Sequence, residues 1–220
     1  MQTISKATET TEKQQSKLLR ILATAASYLL HPVFMPTVMA IVLYNLSPTS
    51  FAGVNSGAFG KMLLPIILNT LFFPLIATLL MKALGFIESI QMTNTKDRII
   101  PLLATMIFYF WAYSVFKSIN APLLLRILLL GSFWGVIAVF MINIFVKISM
   151  HTAAAGSMLG ILLVLMFISP VNMVLPFFIA LIIAGIIGTS RMILGAHTNA
   201  EIWLGYIIGI LVQVSAYWFL

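Results

Sequence analysis

His197 and Glu201 stand four residues apart near the carboxyl end of the chain. At that spacing two side chains share one face of a helix and can form a hydrogen bond. A carboxylate that binds one imidazole nitrogen selects the tautomer and stabilises the protonated ring, which leaves the other nitrogen to attack an electrophile or transfer a proton. Arg191 precedes His197 by six residues and could offer a planar fork of donors to an oxyanion, or form a buried structural pair with Glu201.

The composition places these residues in a membrane protein. Of the 220 residues, 61% are hydrophobic and 8% are charged, whereas a soluble domain carries about 25% charged residues. From position 148 to position 220 only Arg191 and Glu201 are charged. The chain has no cysteine, which excludes disulfides, thiolate nucleophiles and cysteine metal sites. We predict an integral membrane protein, and we expect it in the bacterial inner (cytoplasmic) membrane.

The apolar segments have the length of membrane-crossing helices, which need roughly 20 mostly apolar residues. We predict an all-α polytopic transmembrane helix bundle with six or seven crossings. The seven-crossing arrangement places them at residues 33–47, 61–84, 99–117, 122–146, 152–169, 172–189 and 201–219. Residues 1–32 should form a polar tail and an interfacial helix ending near His31 and Pro32, and residues 33–220 a single transmembrane catalytic domain. Alternatively, the interfacial helix begins a longer first crossing.

Two further segments concentrate rare polar residues. One contains Lys96 and Arg98, and the other contains Lys147, Ser149 and His151. The cations could simply anchor helix ends at the lipid headgroups, and the histidine could be an interfacial or first-turn residue. Ionisable groups in membrane segments are costly, however, so they favour a functional interpretation. Seven crossings place both segments on the same membrane side as the segment that contains His197.

The charge count does not decide which membrane side this is. Under seven crossings, the side of these segments holds nine of the twelve Lys and Arg residues, which predicts a cytoplasmic location by the positive-inside rule. Four of the nine (Lys96, Arg98, Lys147 and Arg191) are candidate site residues. Without them the count is five against three, which is a weak bias.

The spacing of Ser190, Arg191, His197 and Glu201 resembles a known family motif, the S-R-x5-H-x3-D motif of the type 2 phosphatidic acid phosphatases. This superfamily also includes bacterial acid phosphatases and vanadium haloperoxidases. Here glutamate replaces the aspartate, which preserves the charge with one extra methylene. The resemblance implies a helical core like that of the family.

The two other motifs of the family are matched less closely. Ser149 and His151 resemble the serine and histidine of its P-S-G-H motif, with Met150 in place of the glycine. Arg98 and Pro101 resemble a remnant of its K-x6-R-P motif, although the two residues are three apart and position 91 is glutamine. Lys96 or Lys147 is therefore the candidate for the missing lysine.

The resemblance implies a role for each matched residue. His197 would attack phosphorus and form a phosphohistidine, His151 would protonate the leaving oxygen, and Glu201 would orient His197. The implied phosphate-binding residues are Arg191, Arg98, Lys96, Lys147, Ser149 and Ser190. No metal or other cofactor is required, and no nucleic-acid partner is expected.

The location of the site indicates the substrate class. A pocket at headgroup level, walled by apolar helices, suits a lipid phosphate or isoprenyl diphosphate whose tail stays in the bilayer. Family members that act on polyprenyl diphosphate or lipid A usually place this site on the non-cytoplasmic side, and we favour that orientation. Two other functions stay open: a transporter or channel with an intramembrane Arg/Glu/His relay, and a non-catalytic relative that binds lipid phosphate.

Overall fold

The computed structural model describes residues 17–90 and 95–220, and within these ranges the chain is helical without a β-strand. The long helices are α1 Lys17–Leu29, α2 Met35–Leu46, α3 Ser56–Ala83, α4 Ile99–Ser118, α5 Leu123–Phe145, α6 Met150–Ile168, α7 Val174–Ile193 and α8 Asn199–Phe219. Short 3-10 turns at Pro32–Phe34, Pro48–Phe51 and Lys96–Arg98 precede α2, α3 and α4. The predicted polar tail, up to position 16, lies outside the described residues.

Seven helical segments in the described ranges are long and apolar enough to cross a membrane. This confirms an integral membrane protein built as an all-α bundle. Helices α3 to α8 correspond in order to the last six predicted crossings. The first candidate crossing differs from the predicted residues 33–47 and matches the alternative of a longer first crossing, because it runs over Lys17–Leu46 and joins α1, the turn and α2.

The break between α1 and α2 has a local cause in Pro32. Proline lacks an N–H and its ring disfavours helical backbone in the residue before it. His31 is accordingly extended, with φ −68° and ψ 138°. Its Nδ1 atom accepts a hydrogen bond from the Val33 N–H at 3.4 Å, which caps the turn that follows. The break therefore places the His31 ring at the end of α1, where it contacts His151 of α6.

Helices α6 and α8 pack backbone against backbone through glycines. A methyl group on Gly209 would collide with the Ala153 carbonyl oxygen, and one on Gly156 would collide with the Tyr206 carbonyl oxygen. Small residues allow this close approach in membranes, where van der Waals packing drives helix association. The two helices also begin side by side, because the Ser149 N–H donates to the Glu201 carbonyl oxygen at an N···O distance of 3.4 Å.

A hydrogen bond connects α4 to α3 at the place where α3 departs from regular α-helical geometry. Residues Leu68–Phe72 form a π-helical segment just before Pro74. Proline has no N–H to donate to the carbonyl of Thr70, four residues earlier. The hydroxyl of Tyr109 in α4 donates to that carbonyl at 3.2 Å. The Thr70 carbonyl, which the proline would leave without that donor, thus gains a partner from the neighbouring helix.

Candidate functional site

The three polar segments meet at one end of the bundle. Arg98 donates from Nη1 to the Ile148 carbonyl oxygen at 3.1 Å, which joins the start of α4 to the loop before α6. Lys147 donates from Nζ to the Ala196 carbonyl oxygen at 2.9 Å, which joins that loop to the one before α8. These hydrogen bonds to backbone carbonyls connect segments that are about 50 residues apart in the chain.

His197 and Glu201 form the contact that their spacing predicts. Nδ1 of His197 lies 2.6 Å from Oε2 of Glu201. The Thr198 side chain caps α8 by accepting from the Glu201 N–H at 3.4 Å, which sets Glu201 in the first turn. The side chains of His197 and Glu201 are 4% and 17% exposed, so little water competes for the contact. In the tautomer that donates from Nδ1 to Oε2 of Glu201, Nε2 keeps its lone pair.

The surroundings keep this imidazole neutral. Burial is the main cause that lowers the pKa of His197 below its ordinary value of 6.5. The hydrogen bond to Glu201 opposes this effect and raises the pKa. The positive charges of Lys147, Arg191 and Arg98 lower the pKa further. A neutral imidazole with an available Nε2 lone pair is the form that acts as a nucleophile.

Two arginines lie beside His197 and line the same cavity. Arg98 is 4% exposed, and its Nη1 atom is also 3.4 Å from Oδ1 of Asn143. Arg191 donates from Nη1 to Oγ of Ser27 at 3.3 Å. Its Nε is buried and has no hydrogen-bond partner among residues 17–90 and 95–220. An unsatisfied buried donor on a cation at a cavity favours an anionic ligand at this position.

His151 lines the cavity from the first turn of α6 and contacts the end of α1. Its Nε2 atom lies 3.2 Å from the Ser27 carbonyl oxygen. Its ring packs edge-to-face on His31, with ring centroids 5.2 Å apart. The end of α1 therefore contacts both His151 and Arg191, the residues expected to protonate a leaving group and to bind an oxyanion.

Four predicted phosphate-binding residues do not line this cavity. Lys96 is exposed, and Lys147 contacts the loop before α8. Ser149 is fully buried and caps α6, because its Oγ accepts from the Thr152 N–H at 3.4 Å. Ser190 donates from Oγ to the Ile186 carbonyl oxygen at 2.7 Å. Local backbone hydrogen bonds thus engage both serine hydroxyls.

Three residues that the sequence analysis did not assign contribute to the site. Ser27 and His31 reach it from α1 and the turn after it. Asn143 accepts from Arg98 and donates from Nδ2 to the Thr95 carbonyl oxygen at 3.0 Å. The sequence offered one signal for this contact, because Asn143 is a polar residue near the end of an apolar helix, four residues before Lys147.

The cavity has a volume of about 970 Å³ and extends from this polar end into the bundle. His31, Arg98, His151, Arg191 and His197 line it at one end, and residues of α4, α5 and α8 line it farther in. Within the described ranges no group of three His, Asp or Glu side chains is placed to hold a metal ion. The arrangement suits an anionic group attached to an apolar body.

Comparison with known proteins does not place the chain in a family. No protein-family model matches it. No curated protein and no solved structure matches it either. The function proposed below therefore rests on the residues and geometry of the site itself.

Proposed function

We propose that this protein is a metal-independent integral-membrane phosphatase that hydrolyses a lipid phosphate or isoprenyl diphosphate through a phosphohistidine. The observation that carries the proposal is the 2.6 Å contact between His197 and Glu201 at a cavity lined by two arginines. A neutral imidazole backed by a carboxylate supplies the nucleophile. Arg98 and Arg191 supply positive charge where the transferring phosphoryl group develops negative charge.

The first step exchanges one bond at phosphorus for another. Nε2 of His197 attacks phosphorus while the bond from phosphorus to the leaving oxygen breaks. Glu201 stabilises the positive charge that develops on the ring. His151, protonated to the imidazolium beside the bound anionic phosphate, turns its Nε2–H from the Ser27 carbonyl to the substrate, gives this proton to the leaving oxygen and becomes the neutral imidazole.

The second step returns the enzyme to its starting state. Water attacks the phosphohistidine, its oxygen bonds to phosphorus, and the bond between phosphorus and nitrogen breaks. His151, now the neutral imidazole, accepts at Nε2 the proton that the water releases and becomes the imidazolium again. Inorganic phosphate leaves the arginines, and both histidines regain their original protonation states.

The test is phosphate release by detergent-purified protein in the presence of a metal chelator. Wild-type protein should release phosphate from lipid monophosphates or isoprenyl diphosphates, and His197→Ala should not. A wild-type reaction stopped in alkali should retain phosphate on the protein, and acid should remove it, as expected for phosphohistidine. Lys61→Ala, at the opposite end of the bundle, is the matched control. Unchanged release by a folded His197→Ala protein would contradict the proposal.

A transporter is the second candidate, because the cavity lies among helices that could cross a membrane. Such a protein would move an anion past Arg98 and Arg191 without breaking a bond. Flux into proteoliposomes that depends on these arginines, without phosphate release, would identify it.

A further inference from the structure

The cavity continues far below the polar site. Its lining runs from Arg98, just before α4, to Tyr109 on α4, and it reaches Gln213 on α8 and Leu128 on α5. At about 1.5 Å of rise per residue, these positions lie about 16 to 26 Å from the polar ends of their helices. That depth is more than half of the hydrocarbon core of a bilayer, which is about 30 Å thick.

The deep end of the cavity is closed. One or two turns beyond the lining residues, Phe116 on α4 is 1% exposed, and Leu124 on α5 and Ala216 on α8 are 0% exposed. None of these three residues lines the cavity. The closed end distinguishes the cavity from a continuous pore and gives it a finite length.

The side of the cavity reaches the surface of the bundle. Tyr28, Phe34, Leu75 and Ile90 line the cavity and are also exposed. They belong to α1, the turn before α2, α3 and the segment after α3. Because Tyr28, Phe34 and Ile90 lie beside the polar end and Leu75 lies deeper on α3, a chain could enter the cavity from the lipid along this side.

We infer that the cavity binds an apolar chain of an anionic lipid, with the phosphate at Arg98 and Arg191 and the chain end near Leu128 and Gln213. The inference rests on the proposed function for the identity of the phosphate. It differs from a substrate whose tail stays in the bilayer. A volume of about 970 Å³ is at the upper end of the range for ligand pockets and is large enough to hold an apolar chain.

The Nε of Arg191, which has no hydrogen-bond partner in the part of the chain that the structure describes, supports the position of the phosphate. A guanidinium with an unpaired buried donor gains a charge-assisted hydrogen bond when an anionic oxygen approaches it. The walls farther in include Leu102, Val139 and Ile208, which suit a hydrocarbon chain. The charge at one end and the mainly apolar walls between it and Gln213 thus match the two parts of an anionic amphiphile.

The first experiment locates the chain end directly. A non-hydrolysable alkyl phosphonate with a diazirine at the end of its chain is bound to detergent-purified wild-type protein, and labelled residues are identified by mass spectrometry after irradiation. Labels should fall on the deep lining, near Leu128, Ser132 and Gln213. Labels only on outward-facing residues such as Trp111 and Leu211 would overturn the inference.

The second experiment shortens the cavity. Ser132→Leu places a larger side chain in the deep lining, and Ser215→Leu makes the same change at an exposed position outside it. Ser132→Leu should weaken binding of long-chain phosphonates about tenfold, because about two methylenes lose their burial, and should leave short-chain binding unchanged. Ser215→Leu should change neither. Equal effects on all chain lengths would overturn the inference.

The outcomes separate this inference from the proposed function. If Ser132→Leu does not fold, Ser157→Val is a second variant that fills the cavity. The labelling experiment uses wild-type protein and does not depend on either variant. Deep labelling without phosphate release would support the chain site and reject the phosphatase. Phosphate release with labels only outside the cavity would support the phosphatase and reject the chain site.

Discussion

Nδ1 of His197 and Oε2 of Glu201 are 2.6 Å apart and nearly shielded from solvent. Glu201→Gln keeps the size of the side chain but removes the charge that stabilises the protonated ring. We expect kcat for phosphate release to fall by about 100-fold or more, within the usual range for acid–base groups. Glu88→Gln, at an exposed position, should leave kcat unchanged. Equal rates for wild type and Glu201→Gln would make Glu201 a structural residue only.

The pH dependence of the reaction should report the lowered pKa of His197. Protonation removes the nucleophilic lone pair, so kcat/KM should fall only as the pH drops through a value below 6.5. Removing a nearby positive charge with Lys147→Met should raise the pKa of His197 and move this fall to higher pH. The measurement is the pH profile of kcat/KM for wild type and for Lys147→Met on the same substrate. Titration of the substrate then affects both profiles equally and cancels in the comparison. An identical acid limb would contradict this prediction.

Arg191 should not be replaceable by lysine. Lysine keeps the charge but loses the planar fork and the Nε donor that has no partner in the described structure. We expect Arg191→Lys to lower kcat/KM by about 10- to 100-fold, as for the loss of a hydrogen bond to a charged group. Arg126→Lys is the matched control, because its Nε is also buried without a partner in the described ranges but Arg126 does not line the cavity. A similar loss in both variants would argue against a specific role for Arg191.

Gly209 should tolerate no larger residue. A side chain there would collide with the Ala153 carbonyl oxygen and the Ser157 backbone nitrogen. Overpacking of this kind costs about 1 to 3 kcal/mol. Gly209→Val should therefore lower the temperature of thermal unfolding in detergent, whereas Gly60→Val enters open space and should have a small effect. Equal shifts in the two variants would show that the contact between α6 and α8 contributes little.

Local sequence patterns were sufficient to predict helices α3 to α8 and one contact in the site. The apolar segments predict α3 to α8 because a backbone in lipid must satisfy its own hydrogen bonds, and helices do so within one segment. The contact between His197 and Glu201 follows from their spacing, because residues four apart meet on one helix face. The resemblance to phosphatase motifs also uses spacing alone, and the activity it implies stays a prediction.

The tertiary structure decided which residues share the cavity. Ser149 and Ser190 had the right residue types, but their hydroxyls bond to nearby backbone groups and neither residue lines the cavity. Ser27 and His31 reach the site because α1 ends beside α6 and α7, more than a hundred residues later in the chain. The pattern of apolar segments indicates which loops share a membrane side, but it carries no information about these contacts of α1. Those contacts depend on how helix surfaces fit together, as the glycines of α6 and α8 show.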